Sequence, residues 1–333
     1  MEALGNLSGF ESMLPLLEVV GAGEGGVRKL GGYIKRIPSG STVAVDGGEG
    51  GGEVLSELEE ELHTAEDSSG SLLEAWSVCI VPVIRYGSGY VDLDIFQRLN
   101  EKYQGGYLLR LGSVDADPDI AEAESQVPLL LSNLQATPGE VDLVLDYAEV
   151  DSERTVERVT HSARQAVQWA ARRSWRSITL LSGAFPSSIS HLGYDRENRI
   201  PRLEVDLWRA VVEGVPEEID LHYGDYTTNH PALQAGAGGW KSHPNLRYAR
   251  AGEWIVYRKK ATLEEGNSSF YDICQAVVEN ADWEGESFSW ADQKIAVGAR
   301  MREKLGGATQ WVALGRSRHL EVVKYRLATL GEP

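Results

Sequence analysis

The chain has 333 residues and is 42% hydrophobic, enough apolar material for one large barrel or for two ordinary domains. Its formal net charge of -18 repels polyphosphate over the average surface, so non-specific binding of duplex DNA is not expected, although a local basic pocket could still hold one nucleotide. No run approaches the roughly 20 apolar residues that span a bilayer, and the start MEALGNLSGFES lacks the charged-then-apolar order of a signal peptide, so the sequence predicts a soluble, cytoplasmic, non-membrane protein.

Eight short apolar, β-branched runs follow one another: LPLLEVV, TVAVDGG, VCIVPVIRYG, GGYLLRLGS, VDLVLDYAE, SITLLSGAFP, IDLHYGDYT and LRYARAGEWIVYR. Their starts lie roughly 27 to 42 residues apart, the length of a strand with its crossover helix, whereas all-β folds place turn signals about every 8 to 12 residues. The pattern predicts an α/β fold, a (β/α)8 TIM-like barrel irregular at its first strand.

The intervening segments read as helices. In DSERTVERVTHSARQAVQWAARRSW, residues Val156, Val159, Ala163, Ala166, Val167 and Ala170 recur at three- and four-residue steps, with Asp151 or Ser152 placed to cap the start. The acidic helix between Glu53 and Asp67 reads as a solvated outer face. GAGEGG after Val20 is a weak match to a dinucleotide-binding turn, with Asp46 ending the next strand. After residue 260 the pattern changes to three helices near 269–282, 290–305 and 317–330, divided in part by the apolar run QWVALG. This predicts a barrel over 1–260 and a helical cap over 261–333, onto which Trp283, Trp290 and Trp311 pack. Cys79 and Cys274 stand far apart in apolar surroundings and read as buried small hydrophobes.

In a parallel barrel the C-terminal ends of the strands converge on one face, where such folds place their sites. Glu18, Asp46, Arg85, Arg110, Asp146, Ser182, Asp225 and Arg247 end or nearly end separate apolar runs. Charges so placed are costly if buried alone; they either pair with one another, Arg85 or Arg110 bridging Asp46 and Asp146, or they serve a ligand. In the second case Glu18, Asp46, Asp146 and Asp225 are candidate general bases or ligands of a divalent metal such as Mg²⁺, and His230 is a candidate general acid. Arg85, Arg110, Ser182, Tyr226 and Arg247 are candidates to bind phosphate. His230 before Pro231 also reads as a turn cap, and His222 as a packed strand residue. G-x-S-x-G is absent, no core strand ends in lysine, and no closely spaced His/Cys set marks a zinc site, which argues against serine hydrolase, Schiff-base and dedicated zinc chemistry. The polar stretch PSSISHLGYDRENRIP is long enough for a lid.

The phrases LLSGAFP, PRLEVDLW, HYGDYTTNHP, LRYARAGEWIVYR, FSWADQKI and WVALGRSRHLEVV, in this order, resemble the phage-type beta protein family over nearly the whole chain and most strongly from Ile178 to Val323. The chain departs from the family pattern at Ala184, where a serine usually precedes Phe-Pro, and at Arg318 and His319, where a histidine pair is usual. MEALGNLSGFESMLPLLEVV resembles the family's Glu-x-x-Ala-Leu helix and second strand. Either the chain is shortened at its first strand, or a hairpin strand near Leu246 or Trp254 closes the barrel. The resemblance implies a setting in phage–host conflict and assigns no reaction. Two functions stay open: a hydrolase of phosphate esters or nucleotides acting on a small phosphorylated ligand, and a non-catalytic barrel that recognises a phage or host component such as a protein partner.

Overall fold

The computed structural model describes residues 12–19, 24–48, 51–68, 78–86, 93–232, 243–260, 268–302 and 306–333. The N-terminal helix expected before Met13 and the first three residues of GAGEGG lie outside them. Seven strands form one parallel sheet: β1 (Leu16–Glu18), β2 (Thr42–Asp46), β3 (Cys79–Arg85), β4 (Tyr107–Leu111), β5 (Val141–Glu149), β6 (Ser177–Gly183) and β8 (Leu221–Asp225). Each is hydrogen-bonded to the next in that order, so the sheet curls as a half-barrel.

Both faces of the sheet are buried, as its near-continuous apolar runs require. On the outer face Val43, Ile80, Leu109, Leu143 and Leu180 join the main core. On the inner face Ala44, Val81, Val83, Leu108, Val144 and Leu181 form a separate cluster.

Crossover helices cover the outer face: α1 (Glu24–Ile34), α2 (Gly51–Ser68), α3 (Asp94–Tyr103), α4 (Ile120–Asn133), α5 (Glu153–Ala170) and α6 (Leu203–Val212). In α5 the predicted stripe is the buried face, and Ser152 is the cap, its side chain accepting from the Thr155 amide.

The eighth apolar run does not supply an eighth parallel strand. It folds as an antiparallel hairpin, β9 (Asn245–Ala249) and β10 (Glu253–Arg258), which pairs with β7 (Glu197–Pro201) in a separate three-stranded sheet. Only Arg250, Ala251 and Gly252 separate the two strands, and a parallel return needs a dozen or more residues. A complete (β/α)8 barrel is therefore not formed among the described residues, and the hairpin does not close the sheet.

The hairpin instead shares a second core with the C-terminal helices α7 (Ser269–Glu279), α8 (Trp290–Met301) and α9 (Ala308–Leu330). Leu246, Tyr248, Ile255 and Tyr257 pack there against Phe270, Cys274 and Ile295. Trp311 stacks on Phe270 with ring centroids 4.4 Å apart, while Trp283 and Trp290 border the cluster. Cys274 is buried and Cys79 half-buried; both are free thiols.

The run QWVALG lies inside α9, where Trp311 and Leu314 fall on the buried side. Gly315 lets this helix approach β9, since a Cβ there would stand 2.9 Å from the Arg247 carbonyl oxygen. The stretch expected as a lid is tied down: its end is β7, and Asn198 donates to the carbonyls of Gly193 and Val256. No helix among the described residues is long and apolar enough to cross a membrane.

Candidate strand-end site

Three of the seven parallel strands carry the same local device, at the ends of β2 and β8 and, in β5, where the pairing with β6 shifts register after Asp146. Asp46, Asp146 and Asp225 each accept, through Oδ1, the backbone N–H two residues on: Gly48 at 2.9 Å, Ala148 at 2.9 Å and Thr227 at 2.7 Å. All three donors sit at positive φ, +63°, +44° and +58° respectively. These are Asx-type turns in which the carboxylate stabilises a left-handed residue that a β-branched side chain such as Thr227 otherwise avoids. One oxygen of each aspartate thus shapes the loop, and Oδ2 is left to face a partner.

Register decides which partner. Side chains alternate across a strand, so residues two apart share a face. Asp146 pairs in register with Leu181, and Asp225 with Ser182. Asp146 therefore lies with the inner-face cluster, and Asp225 with the outer face.

On the inner face, Arg110 is the hub. Its Nε and Nη2 reach Asp146 Oδ2 at 2.8 and 2.7 Å, Nη1 reaches Asp46 Oδ2 at 2.8 Å and Glu18 Oε2 at 3.1 Å, and Nη2 donates to the Tyr226 hydroxyl at 2.8 Å. Tyr226 in turn donates to Asp146 Oδ2 at 2.7 Å. Arg85 Nε meets both Asp46 oxygens at 2.8 and 2.9 Å, and its Nη2 meets Glu18 at 2.7 Å. Burial opposes the Arg110 charge, but Tyr226, Asp146, Asp46 and Glu18 outweigh it and raise its pKa. Asp46, Arg110 and Asp146 are almost fully buried, while the Arg85 and Glu18 side chains are 25% and 31% exposed and form the rim.

On the outer face, Asp225 meets residues from two helices. Its Oδ2 is 2.7 Å from His319 Nε2 on α9, accepts from the Tyr223 hydroxyl at 2.8 Å, and is 3.6 Å from Arg202 Nη2 at the start of α6. Arg202 Nε donates to Glu204 Oε1 at 2.9 Å. Trp254 Nε1, which can only donate, faces His319 Nδ1 at 3.4 Å. That fixes His319 as the tautomer protonated at Nε2, which donates to Asp225. The shifts agree: burial lowers the His319 pKa against the pull of Asp225, whereas Asp225, despite its own burial, is held well below the usual carboxylate range by His319 and Arg202. Glu204 differs. Burial, reinforced by Asp225 and opposed by Arg202, pushes its carboxyl up to about 7, and Glu204 Oε2 is buried without a hydrogen-bond partner.

The remaining candidates lie apart from both clusters. Ser182 is buried at 2% exposure beside the outer cluster. His230 pairs through Nε2 with Glu149 Oε1 at 2.8 Å, and its Nδ1 accepts from the Ala232 amide, the turn-capping role. His222, expected to pack, has a 52% exposed side chain near Asp220. Arg247 lies on β9 with its guanidinium 4.3 Å above the Phe185 ring, and donates to the Thr228 carbonyl.

The structure thus joins Glu18, Asp46, Arg85, Arg110, Asp146 and Tyr226, and separates them from Asp225, His230 and Arg247. No group of three or more His, Cys, Asp or Glu side chains among the described residues is arranged to hold a metal ion. Arg202, Glu204, Tyr223 and His319 were not among the expected site residues. Glu204 reads in sequence as an ordinary helix-start acid, and the signal available was an Arg-x-Glu pair in PRLEVDLW between two apolar stretches.

With this geometry in hand, the chain matches the family model described as Beta protein over residues 1–324, and it belongs to that family. No curated protein and no solved structure matches it.

Proposed function

We propose that this protein is a non-catalytic binding barrel, acting in the cytoplasm in phage–host conflict, whose strand-end face recognises a phage or host component. The observation that carries this reading is the pairing of the strand-end aspartates: Oδ2 of Asp46, of Asp146 and of Asp225 is each already held by a cation or an N–H or O–H donor. A carboxylate so engaged is poorly placed to take a divalent cation or to abstract a proton from water. Arg85 and Arg110 face Glu18, Asp46 and Asp146, so the inner cluster adds no positive charge to attract phosphate. With three carboxyl groups set against two guanidiniums and paired among themselves, this mouth suits recognition by shape and by the groups around it.

A phosphate-ester hydrolase is the second reading, and Glu204 is what favours it. A buried carboxyl pushed up to about 7, with one unpartnered oxygen, has the acidity of a general acid or base at neutral pH.

Incubation of the purified protein with bis(p-nitrophenyl) phosphate and Mg²⁺ or Mn²⁺ separates the two. The binding reading expects no release of p-nitrophenol above buffer. Metal-dependent release that disappears in Glu204→Gln or Asp146→Asn overturns it in favour of the hydrolase.

A further inference from the structure

Two half-buried arginines beside the strand ends bond to adjacent residues of one loop, Arg247 to Thr228 and Arg316 to Asn229. Arg247 projects from β9 and Arg316 from α9, brought together where Gly315 lets the helix touch the Arg247 backbone. Arg247 donates to the Thr228 carbonyl and lies over the Phe185 ring, and Arg316 Nη2 donates to Asn229 Oδ1 at 3.0 Å. Both therefore grip the loop that follows Asp225. Neither forms an ion pair with any described residue, although the chain carries 50 acidic side chains and a net charge of -18. Arg110, Arg202 and Arg318, by contrast, each meet at least one carboxylate.

The pair also holds unfilled hydrogen-bonding capacity. Nε of Arg247 and Nε of Arg316 are buried without a partner, as is the Thr228 hydroxyl in the loop they grip. Burial lowers the pKa of Arg247 to about 10, with Arg316 adding to the effect, and burial lowers that of Arg316 as well. Two like charges held together and partly desolvated are costly unless something of opposite charge sits against them. Planar guanidinium forks match tetrahedral oxyanions bidentately, and an aromatic ring under one fork fixes its plane.

We propose that Arg247 and Arg316 form a seat for a phosphate group, borne by a phosphorylated ligand or free in solution, with the Thr228 hydroxyl as a further donor. This rests on the reading of the strand-end face as a binding face and names the chemistry it recognises. It is distinct from the Arg85 and Arg110 network, whose donors already face carboxylates. The Asp225 turn sets the geometry, because Asp225 Oδ1 holds Thr227 in its left-handed conformation and so places Thr228 and Asn229 beneath the two arginines.

The test is calorimetric titration of the full chain at low ionic strength with inorganic phosphate and, separately, with adenosine monophosphate. Binding of either is expected, weakened at least tenfold in Arg247→Met and in Arg316→Met and little changed in Arg300→Met, an exposed arginine of α8 paired with Glu286. Tighter binding of the nucleotide assigns a phosphorylated ligand; equal or tighter binding of inorganic phosphate assigns the free ion. A second measurement allows for the general stabilising effect of phosphate: relative to chloride at equal ionic strength, phosphate raises the melting temperature of the wild type more than that of Arg247→Met. In addition, Arg316→Met without phosphate melts no lower than wild type, since it removes a repulsion. No binding of either probe, or binding unchanged in both arginine variants, overturns the proposal. Phosphate binding without turnover, and turnover without phosphate binding at this pair, are separate outcomes, so this inference and the binding reading fail on different measurements.

Discussion

Asp146, near the end of β5, and Asp225, at the end of β8, flank β6 and make the same side-chain-to-backbone turn, yet they lie on opposite faces of the sheet. A one-residue difference in register against β6 sends Asp146 to Arg110 and Asp225 to His319. Tyr226 joins the two clusters: it follows Asp225 inside the turn that Asp225 Oδ1 holds, and its hydroxyl donates to Asp146. Asp146→Asn and Asp225→Asn are each expected to destabilise the fold, and in urea unfolding the double variant to depart from their sum by more than about 0.5 kcal/mol. Strict additivity would mean that the Asp225 turn does not position Tyr226.

Within the inner cluster, Arg110 and Arg85 differ in burial, with side chains 3% and 25% exposed. Removing Arg110 leaves Asp146 with Tyr226 and the Ala148 amide but no cation, whereas removing Arg85 leaves Asp46 still paired with Arg110. Arg110→Met is expected to cost about 3–5 kcal/mol and Arg85→Met about 1 kcal/mol, measured by chemical denaturation. Equal costs would refute the hub role of Arg110.

Glu204 predicts a pH dependence with a defined sign. Its pKa is raised from 4.5 to about 7 in the folded state, so the fold holds this proton more tightly than the unfolded chain does. The stability it contributes is complete below about 4.5 and is lost as pH rises through about 7. His319 and Asp225, whose pKa values are lowered, contribute in the opposite sense. Comparison with Glu204→Gln isolates the carboxyl: relative to that variant, the wild type is expected to lose at most about 3 kcal/mol between pH 4.5 and 7. A difference that is flat with pH, or grows in favour of wild type, would show that Glu204 is ionised throughout.

Thr227 has a φ of +58°, in a region that β-branched residues rarely enter. Thr227→Gly removes that cost and is expected to raise stability by about 1 kcal/mol in thermal unfolding. Asp225→Ala removes the hydrogen bond that holds the same turn, so the gain from glycine should grow in that background. A loss of stability in Thr227→Gly would show that the side chain, not the backbone, matters there.

Gly315 tests the contact between α9 and β9. An added Cβ would stand 2.9 Å from the Arg247 carbonyl oxygen, a backbone atom that cannot swing aside. Gly315→Ala is expected to cost about 1–3 kcal/mol. A neutral result would mean that the helix can slide on the sheet.

The candidate site was legible only in part. Asp46, Arg85, Arg110 and Asp146 stood out because each ends an apolar run, and the sheet does bring them together. Asp225 and Arg247 satisfied the same rule and went elsewhere, because a run's end does not specify which face its last residue takes. His319 and Arg316 belong to the middle of a helix, 311–323, that is buried or half-buried on every side and so leaves no polar stripe to read. Glu204 reads as an ordinary acid at a helix start, and the packing of α6 against β8, with Arg202 and Tyr223 beside it, removes it from water.

Spacing and apolar content, which are local and repeat along the chain, were enough to mark the seven parallel runs and helices between them, but not β7, which carries no apolar run. The aspartates that turn the chain at or near three strand ends are equally local. Tertiary structure decided that the eighth run leaves the sheet as a hairpin, since a connection of three residues permits only an antiparallel return. It likewise decided which charges meet. Alternation puts each side chain on one face or the other, but which face is buried against which partner depends on register between strands and on a helix that closes from the far end of the chain.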